Sequence, residues 1–527
     1  MQNLPIGISG FSELRQENCV YVDKTKHVYS LLKNNCRTCL SRPRRFGKSL
    51  LVSTLEAALQ GKKELFEGLW IAGSDYSWEP KGVISLDFSQ LSIKSAEASE
   101  RSLIYILKEI GKMNEVTLED NPDLNVIFMN LIFALHAKFN FVAVLIDEYD
   151  YPILHTLHKP DLAIEIRDIM KSFSCVVKAQ KDFVKFVFVT GVSAFSKSGL
   201  SSGLNNLDNL TMNENFFDIC GYTDQEVDLY FKEHIETWAN LRQISYEEVR
   251  AQLKVWYNGY RFEENSLSVY SPFSLTCALN SKKLQNFWFE SATPQVLLDE
   301  LSKEERKNEC KLLELDHLRG TGDLLQTFEI ESLPLPALLF QMGYLTIDSY
   351  NPLTRNYQLK YPNLEVKASF HRHIVALLSH KSISYINPFI GDIYGFLAEE
   401  KMDELVSTLT NILSNIPYPL HIQNEKFYHA LLQTIFSAAG IETQSERFTS
   451  IGRHDIALEL PNVIYIVELK TKEAPEAGLT QIETQKYYQP FLHKGKPIHA
   501  LALSILRKKA TKKASSSFTI TYAIKKL

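Results

Sequence analysis

The sequence predicts an α/β chain built of several domains. Three observations carry that expectation. Apolar runs of strand composition alternate with helical patterns, a Gly-Lys-Ser tripeptide separates one such run from a helix, and a second pair of apolar runs flanks a Pro-Asn turn. With 527 residues the chain has room for roughly three or four domains. Its 45% hydrophobic and 23% charged residues are ordinary for a globular protein, which excludes a disordered or fibrous one. The formal charge of −5 leaves no overall basic footprint, so any contact with nucleic acid needs a local patch. Seven cysteines, an odd and sparse count, argue against a disulfide framework and for a reducing compartment, so the chain is expected to be cytoplasmic. Met1 to Pro5 lacks the basic start of a signal peptide, and runs such as Phe141 to Ile146 are too short to span a bilayer, so no membrane partner is expected.

Taken in order, Tyr21-Val22-Asp23-Lys24-Thr25 leads into an amphipathic helix that Asp23 or Thr25 caps. The run Cys36 to Leu40 follows, and its two cysteines, despite redox-like spacing, read as core residues. Ser41-Arg42-Pro43-Arg44-Arg45-Phe46-Gly47-Lys48-Ser49-Leu50 then opens a helix, giving strand, loop and helix. Backbone N–H groups at such a start face phosphates, Lys48 supplies positive charge, and the Ser49 hydroxyl can ligate Mg²⁺. Position 42 departs from the usual phosphate-loop pattern, which has glycine where this chain has arginine. Arg44 and Arg45 either contact phosphates, act on a neighbouring subunit, or stand solvated on the loop. The second of these makes a homo-oligomer a candidate assembly.

Gly82 to Phe88 has strand composition, and Ser99 to Phe139 is largely helical. Phe141-Val142-Ala143-Val144-Leu145-Ile146-Asp147-Glu148 is a continuous apolar run ending in two carboxylates, the pattern of a buried parallel strand with a site at its C-terminal edge. Asp147 is expected to hold the Mg²⁺ shared with Ser49 and phosphate, and Glu148 to polarise the attacking water. A third apolar run, Phe183 to Val189, ends at Thr190, which either lies near the γ-phosphate as the end of an extra strand between the two phosphate motifs or simply ends a strand.

Leu4 to Ile8, Tyr21 to Thr25, Arg42 to Ser49, Leu145 to Asp150, Thr190 to Val192, Gly203 to Leu207 and Trp256 to Phe262, in this order, resemble the AAA-ATPase-like family. In that family a P-loop NTPase commonly precedes a PD-(D/E)XK nuclease-like domain, and an arginine commonly replaces the first glycine of the loop. The resemblance implies ATP as the nucleotide, held by Arg44, Arg45, Phe46, Gly47, Lys48, Ser49, Leu50, Asp147 and Thr190. It also implies the fold in detail: a P-loop NTPase with parallel sheet over residues 1–220, then a helical lid over 221–300 opened by Thr223-Asp224-Gln225-Glu226. The Asn258-Gly259 turn packs that lid through aromatic anchors, unless Arg261 reaches the nucleotide.

Leu338 to Ile347, Tyr350 to Pro352, Tyr357 to Tyr361 and a helix from Asn363 read as helix, strand, turn, strand, helix, a winged-helix-like connector over residues 301–387. A helical linker is expected over 388–417 and a C-terminal α/β restriction-endonuclease-like domain over 418–527. In that last stretch a helix from Glu425 to Ala439 precedes two strands joined at Pro461-Asn462. Counting outward from this hairpin, Asp455 falls opposite Glu468, and Lys470 shares their face by the period of two. Paired carboxylates call for a cation, Mg²⁺, and Lys470 can orient water or stabilise charge on a phosphodiester under attack. His454 falls on the opposite face. By resemblance Asp455, Glu468 and Lys470 are the nuclease motif, Gln481 supports it or touches substrate, and Glu446, ahead of Glu425, is the accessory acid.

The expected function is an ATPase coupled to a Mg²⁺-dependent nuclease acting on nucleic acid, DNA ahead of RNA, with defence against foreign DNA as one use. The alternative is a regulatory NTPase switch or scaffold whose nuclease fold binds without cutting.

Overall fold

The computed structural model describes residues 1–193, 207–288, 318–321, 324, 335–416, 425–445, 455–508 and 517–527. They fall into two compact units, the first holding Met1–Leu298 with His317–Asn363 and the second Leu364–Leu527. Among the described residues no helix is long and apolar enough to cross a membrane.

The first unit is organised by a parallel sheet of β1 (Arg37–Ser41), β2 (Gly82–Asp87), β3 (Val142–Asp147), β4 (Val184–Gly191) and β5 (Asp208–Asn209), in the order β2-β3-β4-β1-β5. β4 lies between β1 and β3, so an extra strand does separate the strand that leads into Arg42–Ser49 from the strand that ends at Asp147. Every residue of β3 is buried, which accounts for the uninterrupted Val-Ala-Val-Leu-Ile run: helices cover both faces of a parallel sheet. Burying each of the larger of these side chains contributes roughly 1.5–3 kcal/mol. The helices Ala96–Met113, Leu124–Phe139 and Pro160–Ala179 supply much of that cover, with Phe128 and Phe173 stacked at a ring separation of 4.0 Å.

Beyond β5 the helices Asp224–Tyr230, Lys232–Arg242, Tyr246–Tyr257 and Pro272–Ser281 form their own core around Trp238, Leu253 and Leu275. The first begins where its sequence signals: Thr223 and Glu226 make a reciprocal capping box. The chain then turns at Gly259, whose φ of +103° favours glycine and where an added Cβ would run into the Pro362 carbonyl. The helix Leu335–Gln341 precedes β7 (Thr346–Asn351) and β8 (Asn356–Lys360), which join β6 (Arg319–Gly320) in a sheet of order β6-β8-β7.

The second unit opens with the helices Leu364–Leu378, Ile383–Ala398 and Met402–Asn415. The helix Glu425–Ala438 then leads into β9 (Glu442–Ser445), β10 (Ile456–Glu459) and β11 (Ile464–Lys470), an antiparallel meander. The helix Pro475–Thr484 crosses over to β12 (Ile498–Lys508), which runs parallel to β11, and β13 (Ser517–Lys526) closes the order β13-β12-β11-β10-β9. Helix, three strands, helix and parallel strand is the layout expected of a restriction-endonuclease-like domain. The hairpin register is the one counted from the sequence: Leu460 N donates to Val463 O at 2.9 Å, and Ile456 pairs with Val467.

Candidate active sites

In the first unit the C-terminal ends of β1, β2 and β3 open onto a cavity of about 430 Å³. Arg44, Arg45, Phe46, Gly47, Lys48, Ser49 and Leu50 line it, facing Asp147, Glu148 and Asp87. Its other walls include Ile8, Tyr21, Tyr222 and Phe273. The loop turns through positive φ at Arg45 (64°) and Gly47 (92°), and the helix Lys48–Leu59 starts at Gly47 with no side chain capping its first amides. Those amides are free to meet an anion, and the helix dipole favours one there.

The buried Lys48 ammonium donates to the Pro43 carbonyl at 3.2 Å and lies 3.6 Å from Glu148 Oε1. The Ser49 hydroxyl lies close enough to the Asp147 carboxyl to hold its pKa down, and Glu148 N donates to Asp147 Oδ1 at 2.9 Å. Burial pushes the Asp147 carboxyl up to about 6, with Glu148 and Asp87 adding to the rise and Ser49 and Lys48 opposing it. A buried carboxylate next to a hydroxyl, beside a lysine and an open cavity, suits Mg²⁺, whose ligands are oxygens; Ser49 and Asp147 would hold it. Glu148 sits at φ 49°, a left-handed conformation that costs a non-glycine residue about 1–2 kcal/mol and persists where neighbours enforce it.

Two polar residues close to the cavity turn away from it, and for Thr190 this fits the alternative in which it simply ends a strand. The Thr190 hydroxyl is fully buried, donates to the Leu40 carbonyl of β1 at 2.8 Å and does not line the cavity. Arg42 turns away as well. Its guanidinium donates to the carbonyls of Ser41 (3.0 Å), Thr211 (2.9 Å) and Phe216 (3.1 Å) and stacks 4.1 Å over the Phe262 ring. Burial pulls it down to about 10, still protonated at neutral pH. The arginine in the glycine position therefore bolts the loop to the backbone at Thr211 and Phe216 and to the Phe262 ring. Arg42→Ala is expected to destabilise the first unit by about 2–4 kcal/mol, since it strands buried carbonyls. Nucleotide affinity per folded molecule should stay within about threefold, because no phosphate contact is lost; thermal unfolding beside a nucleotide titration checks both.

The remaining loop residues are also gripped from outside. Pro43 packs on Gly343, the Arg44 carbonyl accepts from Trp288 Nε1 at 2.9 Å, and the Phe46 ring stands edge-on to Tyr260 (4.8 Å) and Phe262 (5.4 Å). The Arg45 guanidinium lies 4.9 Å over the Phe273 ring. Arg261 does not reach the cavity: it donates to the Asp348 carbonyl of β7 at 3.1 Å. Asp23 and Thr25 stay away from it too. Asp23 accepts from Thr25 N at 2.8 Å and from Trp70 N at 2.7 Å, so it fixes a local turn.

The second unit carries a separate constellation. Asp455, just ahead of β10, accepts from Leu469 N at 2.8 Å through Oδ2. Glu468 Oε1 accepts from Lys470 Nζ at 3.1 Å, and the same ammonium donates to Gln481 Oε1 at 2.6 Å. The Gln481 amide is held in turn by the Tyr487 hydroxyl, 3.2 Å away. Gln481 reaches the site because Gly478, one turn earlier, lets its helix approach β12: an added Cβ there would lie 2.8 Å from that of Ala502. Sequence reading missed His429, whose Nε2 lies 2.6 Å from the Asp455 carbonyl. Glu446 and His454 lie outside the described residues.

Among the described residues no three His, Cys, Asp or Glu side chains gather into a ready cage for a metal ion. The residues nevertheless fit one. Glu468 Oε2 is buried with no hydrogen-bond partner, beside Asp455 and within a charged cluster. Burial, then the Asp455 charge, push the Glu468 carboxyl up to about 8 against the pull of Lys470. A buried oxygen left without a donor is costly, and a divalent cation held by Asp455 and Glu468 would satisfy it.

Residues 5–201 match a family described as predicted AAA-ATPase, and residues 423–515 match the PD-(D/E)XK nuclease superfamily. A protein of Azotobacter chroococcum mcd 1, described as an uncharacterized protein in the vnfD 5' region, is 33% identical over 521 residues, covering 96% of this chain and 97% of that one. Among solved structures, the Aeropyrum pernix ORC1 protein in complex with DNA aligns with 66% of this chain and 91% of its own at 12% identity and a TM-score of 0.25, a likeness that carries no argument. Taken together with the parallel sheet, the loop Arg42–Ser49 and the C-terminal meander, these matches show that the chain belongs to the AAA-ATPase-like family and carries a domain of the PD-(D/E)XK nuclease superfamily.

Proposed function

We propose that the chain hydrolyses ATP in its first unit and cleaves phosphodiester bonds of nucleic acid, DNA ahead of RNA, in its second. The observation that carries the reading is the orphaned Glu468 Oε2 set beside Asp455 and the doubly held Lys470. A binding module would have no use for a buried carboxylate oxygen without a donor, whereas a metal-dependent hydrolase would.

At the nucleotide site, Lys48 rests on Pro43 and Glu148. An arriving triphosphate offers this ammonium a stronger partner, which frees Glu148 to accept a proton from the attacking water. The amides opening the helix Lys48–Leu59 receive the phosphate oxygens. At the second site Lys470 has spent two of its three N–H donors on Glu468 and Gln481, and the third can meet the oxygen on which negative charge develops. Mg²⁺, when bound, lowers the pKa of its water and offsets charge on the phosphate. The reading includes a cytoplasmic location, with defence against foreign DNA as one use.

Mg²⁺-dependent cleavage of DNA and RNA, with and without ATP, tests the whole for the parent, Lys470→Ala and Lys48→Ala. Cleavage by the parent that Lys48→Ala uncouples from ATP is the expected outcome. A parent no more active than Lys470→Ala on every substrate would leave a non-cutting switch as the surviving description.

A further inference from the structure

The acidic run that begins at the end of β3 has a third acidic member, Asp150, whose carboxylate is fully buried and does not line the cavity. It accepts from the two residues that follow β4, through their backbone and one hydroxyl: Val192 N at 3.0 Å, Ser193 N at 2.6 Å and Ser193 Oγ at 2.6 Å. Its neighbour Tyr149 makes the same crossing twice, its amide donating to the Thr190 carbonyl at 3.1 Å and its hydroxyl to the Ser193 carbonyl. Gly191 is what allows this closeness. An added Cβ there would meet the Asp150 carboxylate and lie 2.6 Å from the Tyr149 ring.

Glu148 stands between these bonds and Asp147. Its own amide is held by Asp147 Oδ1, its carbonyl accepts from Tyr151 N at 2.9 Å, and the next amide is pinned to Thr190. The left-handed turn at Glu148 is thus fixed from both sides, and Asp150 supplies the anchor on the downstream side. We propose that Asp150 is a positioning residue for ATP hydrolysis: by latching Val192 and Ser193 to the turn after β3 it sets where the Glu148 carboxylate points, without touching nucleotide. The proposal rests on the reading of the first unit as an ATPase. It gives the buried carboxylate a kinetic consequence that core packing alone would not have.

The test uses the full chain and measures ATP turnover per nucleotide-bound site, with binding read separately by titration of a fluorescent ATP analogue. Asp150→Ala should lower turnover by about tenfold or more while its affinity stays within about threefold, since the water-activating group is displaced and the phosphate loop is not. Asp150→Asn, which keeps an oxygen for Ser193, should recover most of the loss. Gly191→Ala approaches the latch from the other strand and should give the same split if Asp150→Ala does not fold. Ser193→Ala, which removes one donor, should show a smaller fall in the same direction. Turnover per bound site equal to the parent in the folded variants would overturn the latch and leave the ATPase intact. A parent that binds ATP but never hydrolyses it would overturn the ATPase reading and the latch with it.

Discussion

Replacing Lys470 by alanine should lower Mg²⁺-dependent phosphodiester cleavage by about 10²–10³-fold, the usual cost of removing one preorganised donor from a developing oxyanion. The ammonium is held at two points, Glu468 Oε1 and Gln481 Oε1, so its third N–H is aimed before substrate arrives. The substitution also removes the charge that opposes the upward shift of Glu468, so the Mg²⁺ dependence of cleavage should shift as well. Cleavage of labelled DNA and RNA at saturating Mg²⁺ separates the two effects: a loss that persists at saturation belongs to Lys470 itself. Full activity in Lys470→Ala would remove this residue from the chemistry.

Glu148→Gln should reduce ATP turnover by about 10²–10⁴-fold while binding survives, because the amide keeps the shape of the side chain and loses its basicity. Lys48→Ala should do the reverse in emphasis and weaken binding first, since its buried ammonium lines the cavity where the helix Lys48–Leu59 starts. Steady-state hydrolysis measured beside equilibrium binding distinguishes them. Undiminished hydrolysis in Glu148→Gln would exclude it as the base.

The local features of both sites were legible in the sequence because their physics is local. Period-two counting from Pro461-Asn462 put Asp455 opposite Glu468, and the observed register agrees. The capping box at Thr223 and the turn at Asn258-Gly259 depend on residues within a few positions of each other. The roles of Arg42 and Asp150 were not legible, since their partners lie far along the chain: Thr211 and Phe216 for the first, Val192 and Ser193 for the second. Thr190 illustrates the same limit. Strand position put it at the correct edge of the sheet, but only the neighbouring strand decides that its hydroxyl is spent on Leu40. His429 carried no signal, because its target is a backbone carbonyl.

The grip on the phosphate loop makes it a reporter as well as a receptor. Phe46 is wedged against Tyr260 and Phe262, Pro43 rests on Gly343, and Thr346 of β7 exchanges hydrogen bonds with both main-chain groups of Arg261 between those two aromatics. A ligand held only while these contacts are closed would, by linkage, stabilise the β6-β8-β7 sheet against opening by RT ln(1 + [L]/Kd). On the proposed reading of the first unit as an ATPase, amide exchange in that sheet should slow as ATP is added, a gauge read at residues away from the cavity.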